Sequence, residues 1–166
     1  MVKSLAAAVI ALALVGCGFQ QRGQHLINSG YSYVVSGEAK DSRLARELSA
    51  RLFQSGVLAQ DAAEITLELL DVRRQQVDGA VTAEAMLLEQ AVRIDVRFRI
   101  VDAAGAELQP EQTLSRQRYF RLDRSNLLAT AAVKEQVAES LEDELVAQLL
   151  RSLNLVQQMR RVKDAG

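Results

Sequence analysis

The sequence predicts an α+β fold, with two helices packed on one face of a roughly four-stranded antiparallel or mixed sheet. Three observations carry this. Stretches of apolar period two and of period near 3.6 succeed one another in the order strand, helix, three strands, helix. An Asp78-Gly79 pair stands between two alternating stretches, the strongest hairpin signal in the chain. A long stripe of valine and leucine near the C-terminus has the spacing of one helix face.

Residues 1–16 precede the fold. Lys3 is followed by an uninterrupted apolar run of eleven residues, Leu5 to Val15, the layout of a secretory signal peptide. As a helix that run rises only ~16 Å, about half of a ~30 Å hydrocarbon core, so it is not a spanning anchor. It ends in Leu14-Val15-Gly16-Cys17, and Cys17 is the one cysteine in 166 residues. The ending resembles the lipobox of bacterial lipoproteins. That resemblance implies diacylglycerol on the Cys17 sulfur, cleavage before it and acylation of the new amino terminus. A single acyl chain binds a bilayer only marginally, whereas several hold. Gly18, not aspartate, follows the cysteine, which among such lipoproteins points to the outer membrane. With the thiol acylated, neither a disulfide nor a zinc cluster is expected. Residues 17–30, polar and glycine-bearing, read as a tether between lipid and fold.

Tyr31, Tyr33 and Val35 alternate as a short strand. Asp41 or Ser42 then caps a helix in which Leu44, Leu48 and Leu52 recur, Phe53 widens the stripe, and Gly56 makes the stop. Ile65, Leu67 and Leu69 alternate with Thr66 and Glu68 in a strand over about 64–77. A two-residue loop at Asp78-Gly79 pairs Val77 with Ala80 and, counted outward, Ile65 with Val92. In that register Ile65, Leu67 and Leu69 share a face with Val92, Ile94, Val96, Phe98 and Ile100, leaving Arg93, Asp95, Arg97 and Arg99 on the other. Leu70, Val72, Ala85 and Leu87 also fall on the face away from the helices. Residues 103–105 make the next turn. A strand over roughly 112–121 follows Pro110 with its register open. From about Asn126 to Leu153, the residues Val133, Val137, Leu141, Leu145, Leu149 and Leu153 form one helical stripe. The expected domain is therefore 31–153, and the polar residues 154–166 are expected to fray.

Composition limits the function classes. Lys3 is the only charged residue in 1–16, so the formal net charge of −1 becomes −2 for the 150 residues beyond. That balance argues against nucleic acid as a partner. Arginine outnumbers lysine 16 to 4, which suits bidentate contact with carboxylate or phosphate and is equally what a GC-rich genome yields. Tryptophan is absent and aromatics are 4%, too few for a stacking platform. The one histidine, His25, lies in the tether with no acidic or cysteine neighbour, as a solvated surface residue does. No glycine-rich phosphate loop, HExxH or GxSxG occurs. Neither an enzyme nor a cofactor or metal site is expected.

Two blocks resemble the LPS-assembly lipoprotein LptE family. Cys17, Gly18, Phe19 and Arg22 match its opening, and Leu128, Ala129, Gln148, Leu149, Leu150, Arg151 and Leu153 match its closing helix. The middle fits by element order. Gln21 stands where the family often has leucine, and Thr130 where a lysine implicated in lipopolysaccharide binding follows Leu-Ala. The resemblance implies a non-enzymatic protein in the lumen of the outer-membrane β-barrel LptD. There it acts as a plug, helps the barrel assemble, binds lipopolysaccharide and assists its delivery to the outer leaflet. The alternative is an auxiliary lipoprotein of a periplasmic lipid-transport complex. Under the first reading Val72 and Leu87 contact the barrel, unless the sheet curls locally. Arg74, Arg93, Arg97 and Arg99 then form an outer face that grips lipopolysaccharide phosphates and carboxylates, or a solvated face neutralised by Asp95 and nearby glutamates.

Overall fold

The computed structural model describes residues 30–60, 62–79, 89–123 and 125–164. Residues 1–29, with Cys17 and His25, and residues 80–88, with Ala85 and Leu87, lie outside them. Within the described residues the chain runs β1 (Tyr33–Ser36), α1 (Arg43–Gln54), β2 (Ile65–Asp78), β3 (Glu89–Asp102), β4 (Glu107–Arg121) and α2 (Leu127–Asp164). The four strands form one sheet in the order β1-β2-β3-β4. β1 pairs parallel to β2, and the other pairings are antiparallel. A parallel neighbour needs a crossover, and α1 is that crossover. The α+β architecture expected from the element order is the one observed.

The core lies between the helices and one sheet face. Leu44, Leu48 and Leu52 of α1 and Leu141, Leu145, Leu149 and Leu153 of α2 close over Ile65, Leu67, Leu69, Ile94, Val96, Phe98 and Ile100. Ser42 is the cap of α1, its hydroxyl accepting from the Ala45 amide at 3.1 Å. Two stripe members fall short of the core: Phe53 and Val133 are exposed.

The β2–β3 register differs from the one that a tight Asp78-Gly79 turn implies. Val77 pairs with Ala91 and Ile65 with Asp102, while the Gly79 amide donates to the Glu89 carbonyl at 2.9 Å. The partner of Ile65 is displaced by ten residues, from Val92 to Asp102. That even displacement keeps Ile65, Leu67 and Leu69 on their face, so alternation over this stretch cannot tell the two registers apart. The apolar set predicted for one face is indeed together.

A bulge between Leu69 and Asp71 interrupts β2. One extra residue reverses the alternation beyond it. Val72 then lies opposite Val96, and Arg74 opposite Ile94, which puts both on the helix-covered face and not the outer one. Val72 packs half-buried against the core. Gly37 packs against the bulge. It has φ +100°, and a Cβ there would stand 2.4 Å from the Leu69 carbonyl oxygen, which Ala39 uses as acceptor at 3.0 Å. The turn after β1 thus presses on β2 at the residue where its ladder slips.

α2 is a second correction. It continues to Asp164, where residues 154–166 were expected to fray. Val156 and Gln157 are buried, and Gln157 accepts from the Tyr33 hydroxyl at 3.2 Å. Pro110 lies inside β4, which an edge strand tolerates because one row of its amides has no ladder partner to lose.

Candidate functional site

Among the described residues no element covers the second face of the sheet, where the chemistry-bearing side chains collect. Alternation along β3 sends Arg93, Asp95, Arg97 and Arg99 there, with Asp71 and Arg73 from β2 and Thr113 and Ser115 from β4. Side chains two apart on a strand stand about 7 Å from each other. Each arginine has an acid. Arg93 Nε lies 3.0 Å from both Asp95 oxygens, and Arg73 lies 3.2 Å from Asp71. Arg99 meets Glu68 across the strand pair and Glu107 at 3.7 Å. Arg97 pairs with Glu111 at 3.5 Å, both side chains half exposed. The Ser115 hydroxyl holds the Asp95 carboxyl below the usual carboxylate range, assisted by Arg93 and opposed by burial. An open groove of about 390 Å³ runs between Asp71, Arg73, Arg93, Asp95, Arg97 and Thr113. The face is a lattice of charges close to neutral rather than a basic patch. Arg97, with a long and solvated ion pair, is the member most easily released to another anion.

Of the four arginines expected on this face, Arg93, Arg97 and Arg99 are together on it. Arg74 is not. It grips Glu135 of α2 with both terminal nitrogens, at 3.2 and 2.8 Å. That bond holds Glu135 below the usual carboxylate range and Arg74 above its ordinary value. Lys134 donates to Gln76 beside it at 2.9 Å, and the two pairs border a groove of about 400 Å³.

Sequence reasoning passed over the flank of β4. Arg116 bonds Gln148, and Arg118 bonds Glu144 and, at 2.8 Å, Ser140. The signal was present. Ser140, Glu144 and Gln148 form one i, i+4, i+8 row on α2, and Arg116 and Arg118 alternate in step with Leu114 and Phe120. Arg43 of α1 bridges the same helix to Glu135, Glu139 and Glu142, at 3.6, 3.1 and 3.2 Å. Burial pushes the Glu142 carboxyl up, against the pull of Arg43. Among the described residues no group of three or more His, Cys, Asp or Glu is placed to hold a metal ion, and no helix is long and apolar enough to cross a membrane.

No family model and no curated protein matches the chain. Solved structures do. Rare lipoprotein B from Shewanella oneidensis superposes with a TM-score of 0.69 at 17% identity, over 78% of this chain and 98% of that one. The fold is shared. Lipoprotein B from Nitrosomonas europaea gives 0.67 at 21%, over 82% and 90%, and a minor lipoprotein from Acinetobacter baumannii 0.58 at 24%, over 75% and 90%. At these identities the likeness concerns architecture.

Proposed function

We propose that the chain is an outer-membrane lipoprotein, acylated at Cys17, that plugs and helps assemble an LptD-type β-barrel and assists lipopolysaccharide delivery to the outer leaflet. The role is non-enzymatic. One observation carries the reading: a chain whose residues 14–17 read Leu-Val-Gly-Cys shares its architecture with bacterial lipoproteins over at least 90% of their length. The outer sheet face supports it. A porin-like lumen is polar and water-lined, and a plug there needs solvated, mutually neutralised charges more than an apolar patch. Lipopolysaccharide phosphates compete most readily with Glu111 for Arg97, whose pair among the described residues is longer than that of Arg93 and, unlike that of Arg99, is not backed by a second, shorter bond.

Detergent extraction followed by pull-down tests the partner. Recovery of a large outer-membrane barrel is expected, and recovery of inner-membrane transporter subunits in its place would favour the auxiliary-lipoprotein alternative. Labelled fatty acid should appear on the wild-type chain and not on Cys17→Ser. Arg97→Glu with Arg99→Glu should weaken lipopolysaccharide binding in a salt-sensitive way, with fold and barrel association intact. Unchanged binding by that folded variant places the ligand elsewhere.

A further inference from the structure

Helix α2 changes character along its length. Between Lys134 and Glu144 it carries five carboxylates, Glu135, Glu139, Glu142, Asp143 and Glu144, which meet Arg43, Arg51, Arg74 and Arg118. From Leu145 to its end it carries Arg151, Arg160, Arg161 and Lys163, and its one carboxylate there is the terminal Asp164. On the same segment Leu155, Met159 and Val162 are 59, 58 and 76% exposed. Spacings of four and three put them on one face, turned away from the buried Leu153, Val156 and Gln157. Arg151 stands one turn before Leu155 and Lys163 one turn after Met159, so the apolar stripe is basic at both ends. Cations near a helix C-terminus answer the helix dipole, but that effect fades within the last turn. Arg151 lies three turns earlier, and a dipole calls for no apolar side chains.

The position of this end says what it faces. The Arg160 guanidinium lies 5.5 Å from the Tyr31 ring centroid, and its Nη1 donates to the Glu64 carbonyl at 3.2 Å. Tyr31 is where the chain arrives from Cys17, no more than ~50 Å away along an extended backbone. We propose that the C-terminal end of α2 docks on an anionic bilayer surface, with Leu155, Met159 and Val162 among the headgroups and Arg151 and Lys163 against lipid phosphates. Basic amphipathic helices bind such surfaces by this combination of apolar burial and charge. A second copy of the chain fits less well, because a symmetric pair brings the cationic ends together. Among the described residues Glu107, beside Met159 and Lys163, is the one carboxylate lining the groove there. The inference rests on acylation of Cys17 only for the distance to the bilayer.

The test places a fluorophore at Met159→Cys, and at Ala50→Cys on α1 as a control with the same anchor. Both proteins are reconstituted in phosphatidylethanolamine–phosphatidylglycerol vesicles containing brominated lipid. Mass spectrometry of the N-terminal peptide reports acylation separately. The same sites are also read in full-length Cys17→Ser protein added to vesicles, so that loss of the anchor and loss of the docking face give different results. Stronger lipid quenching at Met159 than at Ala50 is expected in both backgrounds, with loss of the difference in phosphatidylcholine vesicles. Arg151→Gln with Lys163→Gln should weaken the partition of Cys17→Ser protein about thirtyfold. Equal quenching at the two sites, or crosslinking of Met159 to a second copy or to a barrel without lipid quenching, overturns the proposal.

Discussion

On the helix-covered face of the sheet, Arg74, Arg116 and Arg118 reach across to Glu135, Gln148 and Glu144 of α2. On the open face, Arg73 and Arg93 take acids two residues away on their own strands, and Arg97 and Arg99 take theirs from neighbouring strands. The same side chain therefore does two jobs. Covered-face arginines tie α2 to the sheet and are not available to a ligand without loosening that contact. Open-face arginines tie the sheet to itself, and their acids are replaceable by any well-placed anion.

The largest expected effect contrasts the two faces directly. Leu145→Ala, under the helix and fully buried, should lower the unfolding free energy by about 2–5 kcal/mol, whereas Thr113→Ala on the open face should stay within about 0.5 kcal/mol. Urea denaturation measures both, and equal losses would mean that the open face is covered in solution. Next comes the turn that packs against the bulge. Gly37→Ala puts a Cβ against the Leu69 carbonyl at positive φ and should lose about 3 kcal/mol. A neutral result would separate Gly37 from the slip that turned Val72 and Arg74 toward the helices.

Smaller effects sharpen the arginine comparison. Arg74→Ala should lose about 1 kcal/mol and Arg97→Ala less than about 0.5, since exposed pairs contribute little. A double-mutant cycle of Arg74 with Glu135 should account for most of the former. The least effect concerns pH. Glu142 is raised above its ordinary value of 4.5, by burial first, so the native state holds that proton more tightly than the unfolded chain. Its contribution is full below pH 4.5 and is lost as pH rises through the raised value. Glu135, lowered by Arg74, behaves oppositely: its contribution is present above 4.5 and is lost as pH falls through the lowered value. Glu142→Gln should flatten the decline above pH 4.5 and leave the acid limb, as read by thermal unfolding across pH. An unchanged upper limb would exonerate Glu142.

Periodicity by itself determined the element order, the α+β class and the apolar set that β2 and β3 share, because each follows from which face a side chain must bury; between Asp41 and Ser42 as the cap of α1, the structure chose Ser42. Periodicity also placed Arg93, Arg97 and Arg99 together. Tertiary structure decided the rest. An alternating pattern is unchanged by an even shift, so only closure of the whole β2–β3–β4 ladder chose the pairing of Ile65 with Asp102. The bulge at Leu70 lies against Gly37, more than thirty residues earlier, and it moved Val72 and Arg74 to the covered face. The end of α2 read as polar because Gln157 and Arg160 have no apolar period. The Tyr33 hydroxyl and the Tyr31 ring, brought alongside by the parallel strand β1, supply the partners that keep those residues in the helix.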